Sequence, residues 1–313
     1  MNIDLFIQKN FEDKGEQVIS IQELKTSGNS SFLISTDKSE YILRLCGNGP
    51  RYRTYEEISS EVDLLNYLLE NKIPVPKPID FNKEFVISVE NKNGILYKYV
   101  LGKNNPNPDN YHCFKIGEIL GKIHKLTMGR EYPGRKKWDL KTAKEKFEEI
   151  KNEITDNEIL EKFSLILNEL TFPDDLPKGI LHEDLGKRHV FFIKEEVSGI
   201  IDWDRSYYGP LILDLGQAIR GWCMDNWEDV NTEKVYSLIK GYESQRELNE
   251  TERTFLLNVI KFAFIERAIS YYINYLNNKN LEDKEFVLEN IYLIKKCEEQ
   301  LEFLNRKLEE NKI

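Results

Sequence analysis

The stretch Leu181-His182-Glu183-Asp184-Leu185-Gly186-Lys187-Arg188-His189-Val190-Phe191-Phe192 decides how this sequence is read. A carboxylate, Asp184, stands in a short polar loop just ahead of an apolar strand. Further on, Gly199-Ile200-Ile201-Asp202-Trp203-Asp204 offers a second strand that ends in another carboxylate. His189 to Ile193 and Ser198 to Trp203 are expected to pair as a hairpin. A hairpin is rigid, so carboxylates at its ends keep a fixed separation. That suits a magnesium ion set beside a hydroxyl nucleophile. Taken singly, Asp184 reads as a turn residue and Asp202 as the end of a strand. The ordered set His182, Asp184, Asp202 and Asp214 favours the catalytic reading.

Upstream, Val18 to Gln22, Ser31 to Ser35 and Glu40 to Leu45 are short and rich in β-formers, with the turn Thr26 to Ser30 between the first two. Gly47 to Arg53 is a Gly/Pro loop. From Thr54 to Asn71 the apolar positions Ile58, Val62, Leu65, Leu68 and Leu69 recur at three and four, which predicts a helix with one buried face. Pro74-Val75-Pro76 ends it. Phe85 to Val89 and Ile95 to Val100 predict a hairpin around Glu90 to Gly94. Beyond Leu101 long amphipathic helices dominate. One starts near Asp109, two lie between Phe147 and Leu170 with a break at Asp156-Asn157, and others cover Val230 to Glu243, Glu250 to Leu276 and Leu281 to Leu308. The expected fold class is α+β, a small β-rich N-terminal lobe over 1–100 followed by a larger helical lobe over 101–313, joined near Lys98 to Lys103.

Composition excludes several classes. Hydrophobic residues make up 40% and charged residues 31%, as in globular chains rather than disordered ones. The net charge of −10 argues against a nucleic-acid partner, which needs a clustered basic surface. No apolar run is long enough to cross a bilayer, and no signal peptide is legible at the start, so a cytoplasmic protein is expected. Cys46, Cys113, Cys223 and Cys297 lie too far apart for a zinc or disulfide pattern and are read as small buried hydrophobes.

The residues around Asp184 resemble the aminoglycoside phosphotransferase and choline kinase-like family, whose members share the protein-kinase-like two-lobed architecture and phosphorylate small molecules. Its catalytic loop, H-x-D-x-x-x-x-N, is matched by His182, Asp184 and His189. Its metal signature is matched by Ile201-Asp202-Trp203, and its downstream aspartate by Asp214 in Leu213-Asp214-Leu215. Tyr41-Ile42-Leu43-Arg44-Leu45 is similar to the strand that carries the phosphate-contacting cation, Glu61 lies where the acidic partner of that cation is placed, and Ile116 to His124 looks like the helix opening the second lobe.

The resemblance implies a magnesium-dependent transfer from ATP or GTP to a hydroxyl of a small molecule: an aminoglycoside, a macrolide or an amino alcohol such as homoserine. An antibiotic-resistance role is among the implied ones. Asp184 would orient the hydroxyl and accept its proton. Asp202, with His189, would hold magnesium. Arg44, fixed by Glu61, would contact the phosphates; the turn Ser27-Gly28-Asn29-Ser30 would cover them; and Lys98 and Val100, at the junction, would border the nucleotide. His182 and Asp214 would brace the loop; read by itself, Asp214 is an N-cap for the helix that follows, and both readings can hold together. Little covalent chemistry is asked of such a protein beyond positioning and charge neutralisation.

Two positions depart from the pattern. Arg44 stands where lysine is commonest, keeping the charge in a planar fork. His189 stands where asparagine usually binds metal, and imidazole suits magnesium less well than oxygen. Both features are similar to macrolide phosphotransferases, whereas Gly209-Pro210 and Asp214 to Cys223 look more like homoserine kinase-like members. A degenerate kinase fold that binds nucleotide or a partner without turnover is the rival reading; retention of Asp184 and Asp202 opposes it. A protein kinase is disfavoured because no D-F-G or A-P-E segment follows. The acidic and aromatic stretch Trp222 to Asp229 could hold a cationic or sugar-like acceptor, or be a solvated loop. His112 and His124 are read as structural. The number of associated chains is left open.

Overall fold

The computed structural model describes residues 2–25, 28–49, 52–81, 83–134, 138–226 and 228–310, with backbone alone for 301–310. By its internal contacts the chain forms two compact units. One is built from Met1–Asn104 and Val190–Asp204 with a short piece at Pro133, the other from Asn105–Tyr132, Lys136–His189 and Arg205–Ile313.

The first unit opens with α1 (Ile3–Asp13), capped by the Asn2 side chain, which accepts from the Asp4 N–H. Sequence reading treated this start as merely polar. The helix is held by two residues four apart, Ile7 and Phe11, both fully buried. Phe11 packs against the rings of Tyr41 and Phe81. Burial of two such side chains contributes about 3–6 kcal/mol. The sheet comprises β1 (Val18–Leu24), β2 (Ser30–Thr36), β3 (Glu40–Leu45), β4 (Pro78–Ile79), β5 (Val86–Val89) and β6 (Lys92–Lys98), in the order β1-β2-β3-β6-β4 with β5 also on β6. Along β3, Tyr41, Leu43 and Leu45 enter the core, which leaves Arg44 on the other face. Between β2 and β6 in sequence, α2 (Tyr55–Glu70) begins at a capping box of Thr54 and Glu57.

The expected Glu90 to Gly94 turn is tighter than the glycine suggested. Glu90 and Asn91 both have positive φ, 52° and 61°, and Val89 pairs directly with Lys92. That is the two-residue turn whose twist matches a hairpin. Gly94 is needed for another reason: a Cβ there would lie 2.2 Å from the Arg44 carbonyl oxygen on β3.

The second unit holds α3 (Asn110–Thr127), α4 (Leu140–Ile150), α5 (Asn157–Glu169) and β7 (Lys178–Leu181). The chain then crosses to the first unit for the hairpin β8 (Val190–Ile193) and β9 (Glu196–Ile200), where Lys103 bridges Phe192. Back in the second unit come β10 (Tyr207–Pro210), antiparallel to β7, then α6 (Leu211–Trp222), the small pair β11 (Met224–Asp225) and β12 (Asp229–Val230), α7 (Thr232–Glu243), α8 (Glu250–Thr254), α9 (Leu256–Asn278) and α10 (Leu281–Glu310). Gly117 and Gly241 let α3 and α7 cross at backbone distance; a Cβ on Gly117 would meet the Leu238 carbonyl at 1.9 Å. The expected helix Glu250 to Leu276 is broken at Phe255, where the Thr254 hydroxyl donates back to the Glu250 carbonyl. α9 is buried around most of its surface over Val259–Ile269, and α10 packs along it, with Tyr271 and Phe286 stacked at 4.8 Å. Among the described residues no helix is long and apolar enough to cross a membrane.

Candidate active site

In the first unit the site is built on Arg44. Its Nη1 lies 2.6 Å from Asp202 Oδ1 and its Nη2 donates to Asp204 Oδ2 at 2.8 Å. Burial works against the guanidinium charge, but Asp204 and Asp202 overcome it and hold the Arg44 pKa well above the ordinary value. The two aspartates are fixed from below by Trp203, whose buried indole N–H donates to the Ile200 carbonyl at 2.8 Å. Asp202 itself has φ +71°, in the left-handed region. A non-glycine residue held there costs about 1 kcal/mol or more, and such outliers cluster at functional sites.

The expected Arg44–Glu61 pair is not the one formed. Glu61, 1% exposed, ion-pairs with Arg53 and accepts from the Tyr97 hydroxyl at 2.7 Å. The reason is charge balance. Arg53 is also buried and would be costly without a carboxylate, whereas Arg44 already has two.

The other nucleotide candidates lie in the same unit. Gly28 has φ +95°, Asn29 Oδ1 accepts from the Gly47 N–H at 3.1 Å, and Ser30 opens β2 opposite Leu45. Ser27 lies outside the described residues. Lys98 is exposed at the end of β6, and Val100 packs so closely on β9 that a Cβ on Gly199 would overlap its side chain.

In the second unit the loop after β7 is hung from Asp214. This carboxylate, fully buried in the first turn of α6, accepts the N–H of His182 at 2.7 Å and that of Glu183 at 2.7 Å. It is not an N-cap as expected: α6 starts at Leu211 after Pro210, so Asp214 points its oxygens out of the helix. Burial pushes Asp214 up, but His124 and the loop N–H groups bring it below the ordinary carboxylate value. Behind it runs a chain of buried partners. His124 lies 3.3 Å from Asp214 Oδ2 and 2.8 Å from the Tyr242 hydroxyl; Arg246 donates to that hydroxyl at 2.9 Å and to Glu252 at 2.9 Å.

Asp184 is 7% exposed. Arg267 Nη2 donates to its Oδ1 at 3.3 Å and Arg188 Nη2 to its Oδ2 at 3.1 Å. Burial raises its pKa, yet Arg267, His189 and Arg205 together hold it well below the carboxylate range, so it stays ionised. His189 braces the loop: Nδ1 lies 2.7 Å from the Asp184 carbonyl oxygen, and Nε2 accepts from Arg188 Nε at 3.0 Å. Trp222 closes the far side by donating to the Leu185 carbonyl at 2.8 Å. In the acidic stretch that follows, Asp225 accepts from Lys234 at 2.6 Å and Asn231 at 2.7 Å; Trp227 lies outside the described residues.

Sequence reading missed Arg205, Arg267 and Arg53. Arg205 Nε lies 2.5 Å from Glu183 Oε2. For Arg267 a signal was present: Glu266-Arg267 is a charged pair inside the apolar run Val259 to Ile269, and charges are not buried in such a run without a partner.

The architecture and the loop together define an α+β protein-kinase-like fold that carries a phosphotransferase motif. The profile of the phosphotransferase enzyme family matches residues 21–248, so the chain belongs to that family and is a small-molecule kinase acting on a hydroxyl group. Curated relatives include a homoserine kinase of Methylobacillus flagellatus, 25% identical over 259 residues covering 80% of this chain and 76% of that protein. One from Rhodospirillum rubrum is 26% identical over 258 residues, covering 80% and 78%. Among solved structures, an amicoumacin kinase in complex with AMP-PNP, Ca2+ and Ami aligns with a TM-score of 0.69 at 16% identity, covering 96% of each chain. An aminoglycoside phosphotransferase from Alicyclobacillus acidocaldarius aligns with a TM-score of 0.69 at 12% identity, covering 93% and 94%.

Proposed function

We propose that this kinase moves the terminal phosphoryl group of ATP or GTP to a hydroxyl of a small molecule in a magnesium-dependent reaction. The observation that carries the reading is Asp184, an ionised and nearly buried carboxylate on a loop suspended by two N–H bonds from Asp214. A hydroxyl needs a base that is ionised and held still, and this one is both. The acceptor oxygen forms a bond to the γ-phosphorus, the bond to the bridging oxygen breaks, the hydroxyl proton passes to Asp184, and nucleoside diphosphate leaves.

Residues 1–100 act as the nucleotide-binding lobe and 101–313 as the lobe with catalytic loop and acceptor site. Arg44 binds phosphate oxygens, the turn Ser27 to Ser30 covers them, and Lys98 and Val100 border the base. The donor set on Arg44 fits a hard divalent cation: Asp202 and Asp204 offer carboxylate oxygens, which magnesium prefers, and they sit together on one positive group. Asp202 would hold the ion, with His189 contributing through the loop it braces or through water. Bound there, a magnesium ion supplies neutralisation of phosphate charge.

The test is consumption of ATP and of GTP, with and without magnesium, against homoserine, amino alcohols, aminoglycosides and macrolides. Magnesium-dependent formation of a phosphorylated acceptor is expected. Nucleotide binding with no turnover of any acceptor would overturn the proposal.

A further inference from the structure

A cavity of about 1090 Å³ opens in the second unit, between one face of α4, residues 172–174 and the strands β7 and β10. That volume is at the upper end of what small-molecule sites occupy. Every residue that lines it belongs to this unit, and no described residue of the catalytic loop is among them.

Its apolar walls include the rings of Phe172, Tyr207 and Tyr208. Gly209 makes room for one of them, since a Cβ there would lie 2.6 Å from Tyr207 Cε2. Tyr207 is 2% exposed, yet its hydroxyl has no hydrogen-bond partner among the described residues. A buried tyrosine hydroxyl ordinarily finds one, because leaving it unpaired is unfavourable. Burial, and next the carboxylates of Glu183, Asp214 and Asp139, hold its pKa well above the ordinary phenol value. The group therefore remains a hydroxyl with an oxygen free to accept.

Most charges around the cavity are matched. Lys144 donates to the Leu170 carbonyl at 3.2 Å, Glu149 lies 2.5 Å from Lys146, and Glu148 pairs with Lys151. Asp139 is different. One of its oxygens caps α4 by accepting the Thr142 N–H at 2.9 Å, and no described cation pairs with it. The same cavity thus presents an unpartnered buried hydroxyl and a carboxylate without a counter-charge.

We propose that the cavity is a second binding site, for a small organic amine whose ammonium bridges Asp139 and the Tyr207 hydroxyl while its apolar body rests on Phe172 and the tyrosine rings. An ammonium brings three donors and no acceptor, which suits two waiting oxygens, and aromatic faces attract the charge. An anion of the same shape would be repelled by Asp139. Tyr207 pairs in register with Leu181, the residue before His182, so a ligand here bears on the strand that carries the catalytic loop. The proposal goes beyond the phosphotransferase reading and does not depend on it.

The experiment is calorimetric titration of the full chain, without nucleotide, using 2-phenylethylamine and, as the anion of like shape, phenylacetate. Saturable binding of the amine is expected with a Kd of about 1 mM or below, as for a ligand of this size, and none of phenylacetate. Asp139→Asn keeps a good N-cap and should weaken amine binding about tenfold or more. Tyr207→Phe keeps the ring and should weaken it several-fold, while its melting temperature does not fall, because the substitution removes a hydroxyl the protein leaves unpaired. Asp139→Asn decides alone if Tyr207→Phe does not fold. Asp184→Asn should bind the amine as the parent does. The proposal is overturned by absence of saturable amine binding, by equal binding of phenylacetate, or by parent-like affinity in Asp139→Asn. Loss of amine binding in Asp184→Asn would also overturn it, since the amine would then occupy the reacting acceptor pocket and not a second site.

Discussion

Arg267 Nη2 lies 3.3 Å from Asp184 Oδ1, and both side chains are buried in the second unit. A carboxylate placed beside a buried guanidinium cannot take up a proton from solvent near neutral pH. It remains an acceptor, and its position is set by a helix, α9, that follows it by more than seventy residues in sequence. The pair therefore links the reacting loop to a helix that is buried all along Val259–Ile269.

Loss of the carboxylate charge tests this arrangement directly. Asp184→Asn should lower kcat by about a hundredfold or more, as removal of a positioned base does. Nucleotide affinity, measured by calorimetric titration, should change little because the phosphate-binding candidates belong to the other unit. Parent-like turnover in the variant would remove Asp184 from its assigned role.

Arg44 gives the corresponding test for the nucleotide. With Asp202 and Asp204 both on its guanidinium, Arg44→Met leaves two carboxylates facing each other without a cation. The expected result is a rise in nucleotide KM of about tenfold or more, with a stronger dependence on magnesium concentration, because the ion then has to offset the charge alone. For Asp202→Ala, magnesium should no longer tighten nucleotide binding. An unchanged magnesium titration in Asp202→Ala would contradict the assignment of this residue to the metal.

Much of this was legible in the chain. Strand β3 and helix α2 follow from alternation and from three-four periodicity, and the loop from His182 to His189 follows from its polar break between apolar runs. What failed had physical causes. The Arg44–Glu61 pairing came from the family resemblance, but which buried cation takes which carboxylate depends on where Arg53 lies in space. Arg267 was overlooked because its helix was read as amphipathic, with charges on a solvated face, although the helix is buried all round over Val259–Ile269. Gly94 was read as part of a turn because glycine usually signals one; its actual use is to admit the Arg44 backbone.

That close approach makes its own prediction. In Gly94→Ala the new methyl would lie 2.2 Å from the Arg44 carbonyl oxygen and 2.7 Å from Leu45 Cδ2, so β3 and β6 must separate. Overpacking of this kind costs about 1–3 kcal/mol and should lower the melting temperature by several degrees. Since Arg44 moves with its strand, nucleotide KM should rise too. A variant with unchanged melting and unchanged KM would show that the strands are not this close.

The last prediction concerns pH. His124 is fully buried, and burial lowers its pKa below the ordinary imidazole value of 6.5 even though Asp214 opposes the shift. A neutral ring fits both neighbours: one ring nitrogen donates to Asp214 and the other accepts from Tyr242, whose oxygen accepts from Arg246, itself held by Glu252. Above about pH 6.5 neither the folded nor the unfolded state protonates this residue, so it adds no pH dependence. Below that value the unfolded chain takes the proton first. Stability should then fall as pH drops toward the lowered folded-state value, by at most about 1.4 kcal/mol per pH unit. Urea unfolding of the parent and of His124→Gln, which keeps a donor toward Asp214, separates this contribution from other acid-sensitive groups. The parent should lose stability as the pH falls below about 6.5 more steeply than the variant. Parallel curves would mean that the imidazole is not held neutral behind the catalytic loop. Activity measured over the same range should follow the stability difference, because a charged ring can no longer accept from the Tyr242 hydroxyl, which breaks the chain of buried partners behind Asp214.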